Sequence, residues 1–382
     1  MNRNYKSILA FSILTAALVG CSSSPKVEKV KPNPLPKISQ VKVLLPVATY
    51  SGASNQGVDG LRLQGDVSEG MVFVADAKGT VTAYRGKTRL WEKKVSKQGV
   101  SAGVEAADGM VIVGNKKGEL FALDQVTGEQ IWRAQLTGSI LAPSLIQANR
   151  VVTVANDGTV FAHNLTTGQQ MWTYSLPNVQ LSLRGQAAPV AIDDRNVLIA
   201  AANAYVYAID TVTGVPRMQR RVAINDGRSD IQRLNDIDGD PVIYEGRLLI
   251  TTSFQGQVTV TDLATQQVLW SEDASSIRRP EVFDNKVFVS KDNGEIVAFD
   301  LRTGQKLWTN DQLLNRELSN PVVLGNDLVV GDLDGVLHLI SPAAGQLLGR
   351  SKTSGEVRSL RVIDNQLYVT TKKGALSIWQ TR

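Results

Sequence analysis

The chain holds one cysteine, Cys21, and two histidines, His163 and His338, in 382 residues. One cysteine excludes an intrachain disulfide and any multi-cysteine metal site. Aromatic residues make up 6% and charged residues 20%, against 43% hydrophobic. That balance excludes a disordered chain, and the want of repeated apolar runs of about 20 residues excludes a multi-span helical membrane protein. The net charge of +5 shrinks once it is located. Arg3 and Lys6 carry +2, while Lys26, Lys29, Lys31 and Lys37 against Glu28 carry +3, so residues 41–382 sum to zero. No basic face is left for a phosphate backbone, which argues against nucleic acid as a partner.

The one sustained apolar run, Ile8 to Val19, follows the basic start. It falls short of the roughly 20 residues that span a bilayer, and residues 1–20 read as a secretory signal peptide. Leu18-Val19-Gly20-Cys21 resembles the bacterial lipoprotein box. That resemblance implies lipidation at Cys21: a diacylglycerol thioether on its thiol and a third acyl chain on its freed amine. An incidental cysteine is the alternative, but the lone cysteine stands where this processing requires one. At about 0.8 kcal/mol per buried methylene, three chains hold a protein on a membrane permanently. Ser22 resembles the sorting signal for the outer membrane. Residues 21–39, rich in Ser, Pro and Lys, read as a flexible tether, which leaves 40–382 for the folded domain.

From residue 70 onward one phrase recurs: glycine, alternating apolar residues, Asp or Asn, Thr-Gly, then Trp. GELFALDQVTGEQIW (Gly118 to Trp132), GTVFAHNLTTGQQMW (Gly158 to Trp172) and GEIVAFDLRTGQKLW (Gly294 to Trp308) are clear copies. Weaker copies end at Trp91, Met218 and Trp270, another begins at Gly335, and a truncated one begins at Gly374. The starts at 79, 118, 158, 204, 256, 294, 335 and 374 are separated by 39, 40, 46, 52, 38, 41 and 39 residues. Eight copies near a period of forty mean a repeat fold.

Alternation such as VFAHN or IVAFD has period two and predicts half-buried strands. Asn156-Asp157-Gly158 and Asn293-Gly294 predict tight hairpins. In Asp-x-x-Thr-Gly the carboxylate is placed to accept from the amides ahead of it. Each repeat then holds four strands, for example APSLI, RVVTVAN, TVFAHN and QQMWTYSL. The fold predicted is all-β: an eight-bladed β-propeller of four-stranded antiparallel blades, with the tryptophans packed between neighbours. The eighth copy stops at Arg382 after its third strand. The apolar run Gln40 to Leu45 is expected to supply the fourth and close the ring, which removes two exposed edges.

No catalytic motif is complete. The blade phrase also resembles that of pyrroloquinoline-quinone dehydrogenases, but it encodes packing and turns, and the vicinal cysteine pair of those enzymes is absent. Gly86-Lys87-Thr88 lacks the first glycine of a phosphate loop, because Val81 stands there. Asp236-Ile-Asp238-Gly-Asp240 has calcium-loop spacing, but Pro241 occupies the glycine position and Arg247 that of the closing glutamate. His163 and His338 lie at strand positions, as packed or solvated residues would. No nucleophile, base and orienting acid come together, so neither enzyme activity nor a cofactor is expected.

The two long intervals are consecutive. Insertions therefore fall near 175–190 and 215–240 on neighbouring blades, and loops on a rigid scaffold carry function. The first reads SLPNVQLSLRGQAAP. The second, RMQRRVAINDGRSDIQRLNDIDGDP, is either a binding surface or a self-paired charged loop. Lipoprotein box, tether, propeller phrase, LSLRGQ and NDIDGD together resemble the BamB family, lipoprotein subunits of the β-barrel assembly machinery in Gram-negative outer membranes. The resemblance covers the whole chain. It implies a non-catalytic scaffold on the periplasmic face of the outer membrane, held there by its lipid anchor. It also implies binding to the POTRA domains of BamA and assistance to unfolded outer-membrane protein clients. The family's BamA-contacting motif maps onto Leu181, Leu183 and Arg184, with an acidic pair at Asp236 and Asp238. Gly239-Asp240 departs from the family pattern in the flank. A periplasmic propeller adaptor with another partner, or a quinone-dependent enzyme, are the competing readings.

Overall fold

A computed structural model of the chain describes residues 30–51, 62–177, 186–201, 204–222, 237–372 and 375–382. The proposed signal segment and Cys21 lie outside the described residues. Eight antiparallel sheets of four strands follow one another along the chain. Blade three is typical: Leu145–Gln147, Arg150–Val154, Thr159–Asn164 and Gln170–Ser175 pair in chain order. The first strand of each blade neighbours that of the next, so the first strands line the centre of a ring and the fourth strands its rim. Blade two gains a short parallel strand, Arg62–Leu63, beside Ala102–Ala107. In this meander the blade-to-blade connections and the second-to-third hairpins share one face. The first-to-second and third-to-fourth hairpins share the other.

The period-two strands are not half-buried. In Thr159–Asn164 the four central residues are all buried, and in Ile296–Asp300 the first four are. Each sheet is sandwiched between two others, so both faces of its middle strands are interior. The alternation records size instead: Phe161 beside Ala162, Ala298 beside Phe299. Only the outer strands alternate by exposure, as in Gln170–Ser175.

The small residues make room for tryptophan. Ala83, Ala122, Ala162 and Ala298 pair with Trp91, Trp132, Trp172 and Trp308, each just after a register shift in the outer strand. Val260 faces Trp270 in the same way. Each of these five indoles lies against the third-to-fourth turn of the next blade and donates its Nε1–H to a carbonyl there. The acceptors are Gln125, Leu165, Thr211, Leu301 and Pro342, at 2.7–3.1 Å. The turns are held as predicted: Asp124 Oδ1 accepts from the amides of Val126 and Thr127 at 3.0 and 2.7 Å, and Gly128 follows at φ +71°. Trp379 is the exception. It lies on a third strand and donates to Ser377 Oγ within that strand.

The ring closes with an N-terminal strand, displaced from its expected place. Leu44–Ser51 pairs with Ala375–Thr381, Leu44 against Thr381 and Ser51 against Ala375. The run expected there, Gln40 to Leu45, mostly crosses blade seven first: Val41 and Lys42 donate their amides to the Leu348 carbonyl, and Lys42 bridges Gly349. Gly349 stands where five other blades carry tryptophan, and a Cβ there would overlap the Lys42 carbonyl. The stretch expected to be a free tether is likewise held from Asn33 on. Arg316 donates to the Asn33 carbonyl at 2.7 Å, Arg350 to that of Pro36 at 2.9 Å, and Leu35 packs on the blade six and seven core. Composition missed this because the partners are backbone carbonyls meeting arginines distant in sequence.

Candidate partner-binding site

Two blade-to-blade connections stand out for length. Residues 176–189 join blades three and four, and 222–241 join four and five, whereas 353–356 suffice between seven and eight. Both leave from the same face. Their ends are pinned in one place: Ala187, Val222 and Ile237 are each almost fully buried, and all three belong to the apolar cluster that includes Leu198, Val206 and Leu249. A polar tie adds to this. The Ala188 amide donates to Asp240 Oδ1 at 2.7 Å, linking the end of the first connection to the end of the second. Gly239 beside it passes so close to the connection between blades five and six that a Cβ would lie 2.6 Å from the Arg278 carbonyl. Thr252 Oγ1 donates to that same carbonyl at 2.7 Å.

Of the residues singled out from sequence, Leu181, Leu183, Arg184 and Asp236 lie outside the described residues. Asp238 is described and half-buried beside the buried Ile237. Asp240 had registered in the sequence only as a departure in the flank. Nothing in the chain's order marks it as the clasp between two connections, because its partner is a backbone amide fifty-two positions away.

The histidines are structural. His163 stacks between Trp132 and Phe161 at ring separations of 6.1 and 6.2 Å, and burial lowers its pKa. His338 is fully buried with Nε2 3.0 Å from Asp332 Oδ2. Burial lowers its pKa too, against the opposing pull of Asp332. Arg316 donates to the same carboxylate at 2.8 Å, so the group is a packed polar network within blade seven. Among the described residues no three His, Cys, Asp or Glu side chains gather as a metal site requires.

A ring of eight blades, closed by a strand and carrying two long connections clasped side by side, defines a propeller scaffold. Residues 77–310 and 292–380 match the family described as outer membrane protein assembly factor BamB. The chain belongs to that family. It is 34% identical to the outer membrane protein assembly factor BamB of Pseudomonas aeruginosa over 98% of both chains. The crystal structure of BamB from Moraxella catarrhalis superposes with a TM-score of 0.81 at 34% identity, covering 88% of this chain and 100% of that one. A quinohemoprotein alcohol dehydrogenase from Comamonas testosteroni shares the fold alone, at a TM-score of 0.66 and 13% identity.

Proposed function

We propose that the chain is a non-catalytic scaffold of outer-membrane protein assembly, anchored on the periplasmic face of the outer membrane by lipid on Cys21. Its partner in this reading is BamA, bound through the POTRA domains by the paired connections 178–185 and 223–236. The observation that carries the reading is the clasp of Asp240 on Ala188, which holds the ends of both connections against one rigid junction. Pre-set loops lose less entropy on binding than free ones. Leu181 and Leu183 are the apolar centre, Arg184 is the anchor, and Asp236 and Asp238 orient it. Unfolded outer-membrane proteins are the clients brought near the insertion site.

The test is co-purification with BamA from detergent-solubilised membranes. Leu183→Ala and Arg184→Ala are each expected to weaken binding by about 2 kcal/mol or more, with the melting temperature nearly unchanged. A Leu181, Leu183, Arg184 triple-alanine chain that melts normally and still recovers BamA at the unmodified level would refute the assignment.

A further inference from the structure

Arg278 is a cation without a counter-ion. It lies in the connection between blades five and six, residues 274–280, three positions ahead of the first strand Glu281–Phe283. Its backbone is fixed from both sides. The amide donates to Ser276 Oγ at 3.0 Å, and the carbonyl accepts from Thr252 Oγ1 at 2.7 Å. Gly239, one residue before the Asp240 clasp, is pressed against that same carbonyl. The guanidinium itself is half-buried and makes no hydrogen bond or ion pair among the described residues.

Its surroundings place it. The charges that act on it belong to Arg358, Asp292, Glu317 and Glu356. Arg358 is on the first strand of blade eight, Val357–Ile363, two places round the ring. The Arg278 side chain therefore reaches inward over the mouth of the central channel, on the face that carries both long connections. The carboxylates nearby are already engaged. Glu356 accepts from Arg358 and from Lys372, each at 3.0 Å. Asp292 accepts from Ser275 Oγ at 2.6 Å and from the Ile277 amide at 3.3 Å, and Glu281 from Arg279 at 3.0 Å. Glu317 is exposed and forms no ion pair with Arg278. A guanidinium drawn partly out of water with no partner costs stability, and burial together with Arg358 lowers its pKa. An arriving anion relieves that cost, and a carboxylate matches the fork of N–H donors.

We infer that the mouth of the channel is a carboxylate receptor: Arg278, with Arg358 across the mouth, takes an Asp or Glu side chain of bound BamA. The inference rests on the reading of the paired connections as the BamA surface. It adds a charged anchor beside their clasp, on backbone that is already fixed, so little ordering remains to be done on binding.

The test is the affinity of the full chain for detergent-solubilised BamA, read by surface plasmon resonance, with the melting temperature of each variant alongside. Arg278→Gln is expected to weaken binding at least about tenfold. Its melting temperature is expected to hold or rise, because an unpaired cation is removed. Arg278→Lys keeps the charge without the fork and is expected to recover part of the loss. Arg302→Gln makes the same charge change on the opposite face, in the blade six turn, and is expected to alter affinity by less than about twofold. Equal binding by Arg278→Gln and the unmodified chain would overturn this assignment alone. A clear fall in the melting temperature of Arg278→Gln, or its failure to fold, would do the same, since the cation would then have its counter-ion within the chain. No recovery by lysine would place the loss in shape and not charge, and an equal loss from Arg302→Gln would make it a matter of net charge; either overturns the receptor. No binding by the unmodified chain would overturn the BamA reading, and the receptor with it.

Discussion

The junction between blades two and three and the junction between blades four and five are built on the same register, yet they are closed differently. In the first, Trp132 lies against Gly168 and donates to Leu165. In the second, Met218 and Gln266 leave a pocket. A repeat fold can thus hold its backbone constant while one junction in the ring is changed from sealed to open by a pair of residues, Met218 and Gln266, that replace Trp and Gly together. The two junctions that flank blade eight are closed in further ways. Between blades seven and eight Gly349 gives way to the incoming chain, and between blades eight and one Ala48 takes the rim position opposite Ile378.

The largest effect is expected where blade eight meets blade one. Deleting Leu44–Ser51 removes the fourth strand of blade eight, uncovers Ala375–Thr381 as an edge and opens the Tyr50–Tyr84 contact to blade one. The single cooperative thermal transition is expected to be lost, as differential scanning calorimetry reads directly. An unchanged melting profile would mean that the ring does not depend on closure.

The sealed and open junctions are then set against each other. Trp132→Ala is expected to cost about 3–5 kcal/mol and Met218→Ala only about 2 kcal/mol, because the methionine already borders a cavity. Urea titrations of both variants compare them, and equal losses would erase the distinction. Their turns differ in the same sense. Gly168→Ala places a Cβ 2.6 Å from the Trp132 ring at a φ of +70°, and is expected to cost about 1–3 kcal/mol. Gln266→Gly, which meets no such ring, is expected to change stability by less than about 1 kcal/mol.

The smallest effect contrasts the inner strands with the turns. Glu105, on the first strand of blade two, has its pKa raised from 4.5 to about 7 by burial, with Asp66 adding to the rise. The folded chain therefore holds this proton more tightly than the unfolded one. That contribution to stability is full below about 4.5 and is lost as the pH climbs towards 7. Turn carboxylates such as Asp300, at the end of a third strand, shift the other way, held down by the Thr303 amide and hydroxyl. Melting temperatures of the unmodified chain are expected to fall across this window, and Glu105→Gln is expected to flatten the fall. A slope that survives the substitution would place the titrating group elsewhere.

Much of this was legible in the sequence because the repeat states it eight times. Copy number, hairpins, Asp-x-x-Thr-Gly turns and the tryptophan positions all follow from local spacing and hold in the structure. The insertions were legible as interruptions of the period. Burial of both faces of the middle strands was not, because alternation of large and small residues looks the same in a sequence as alternation of inside and outside. Nor was the seat of the N-terminal segment, whose bonds run from Asn33, Pro36 and Lys42 to residues some three hundred positions away.

The sequence by itself determined the blade, the number of blades and the family, since each rests on hydrogen bonds and packing between residues within about forty positions of one another. The tertiary structure alone decided how the junctions differ. Whether Met218 is a tolerated substitution or the floor of a pocket depends on Leu263 and Gln266 in the next blade, and whether Asp240 is a loop residue or a clasp depends on Ala188. Those relations exist only once the ring has closed, because closure places the rim of each blade against the turn of its neighbour.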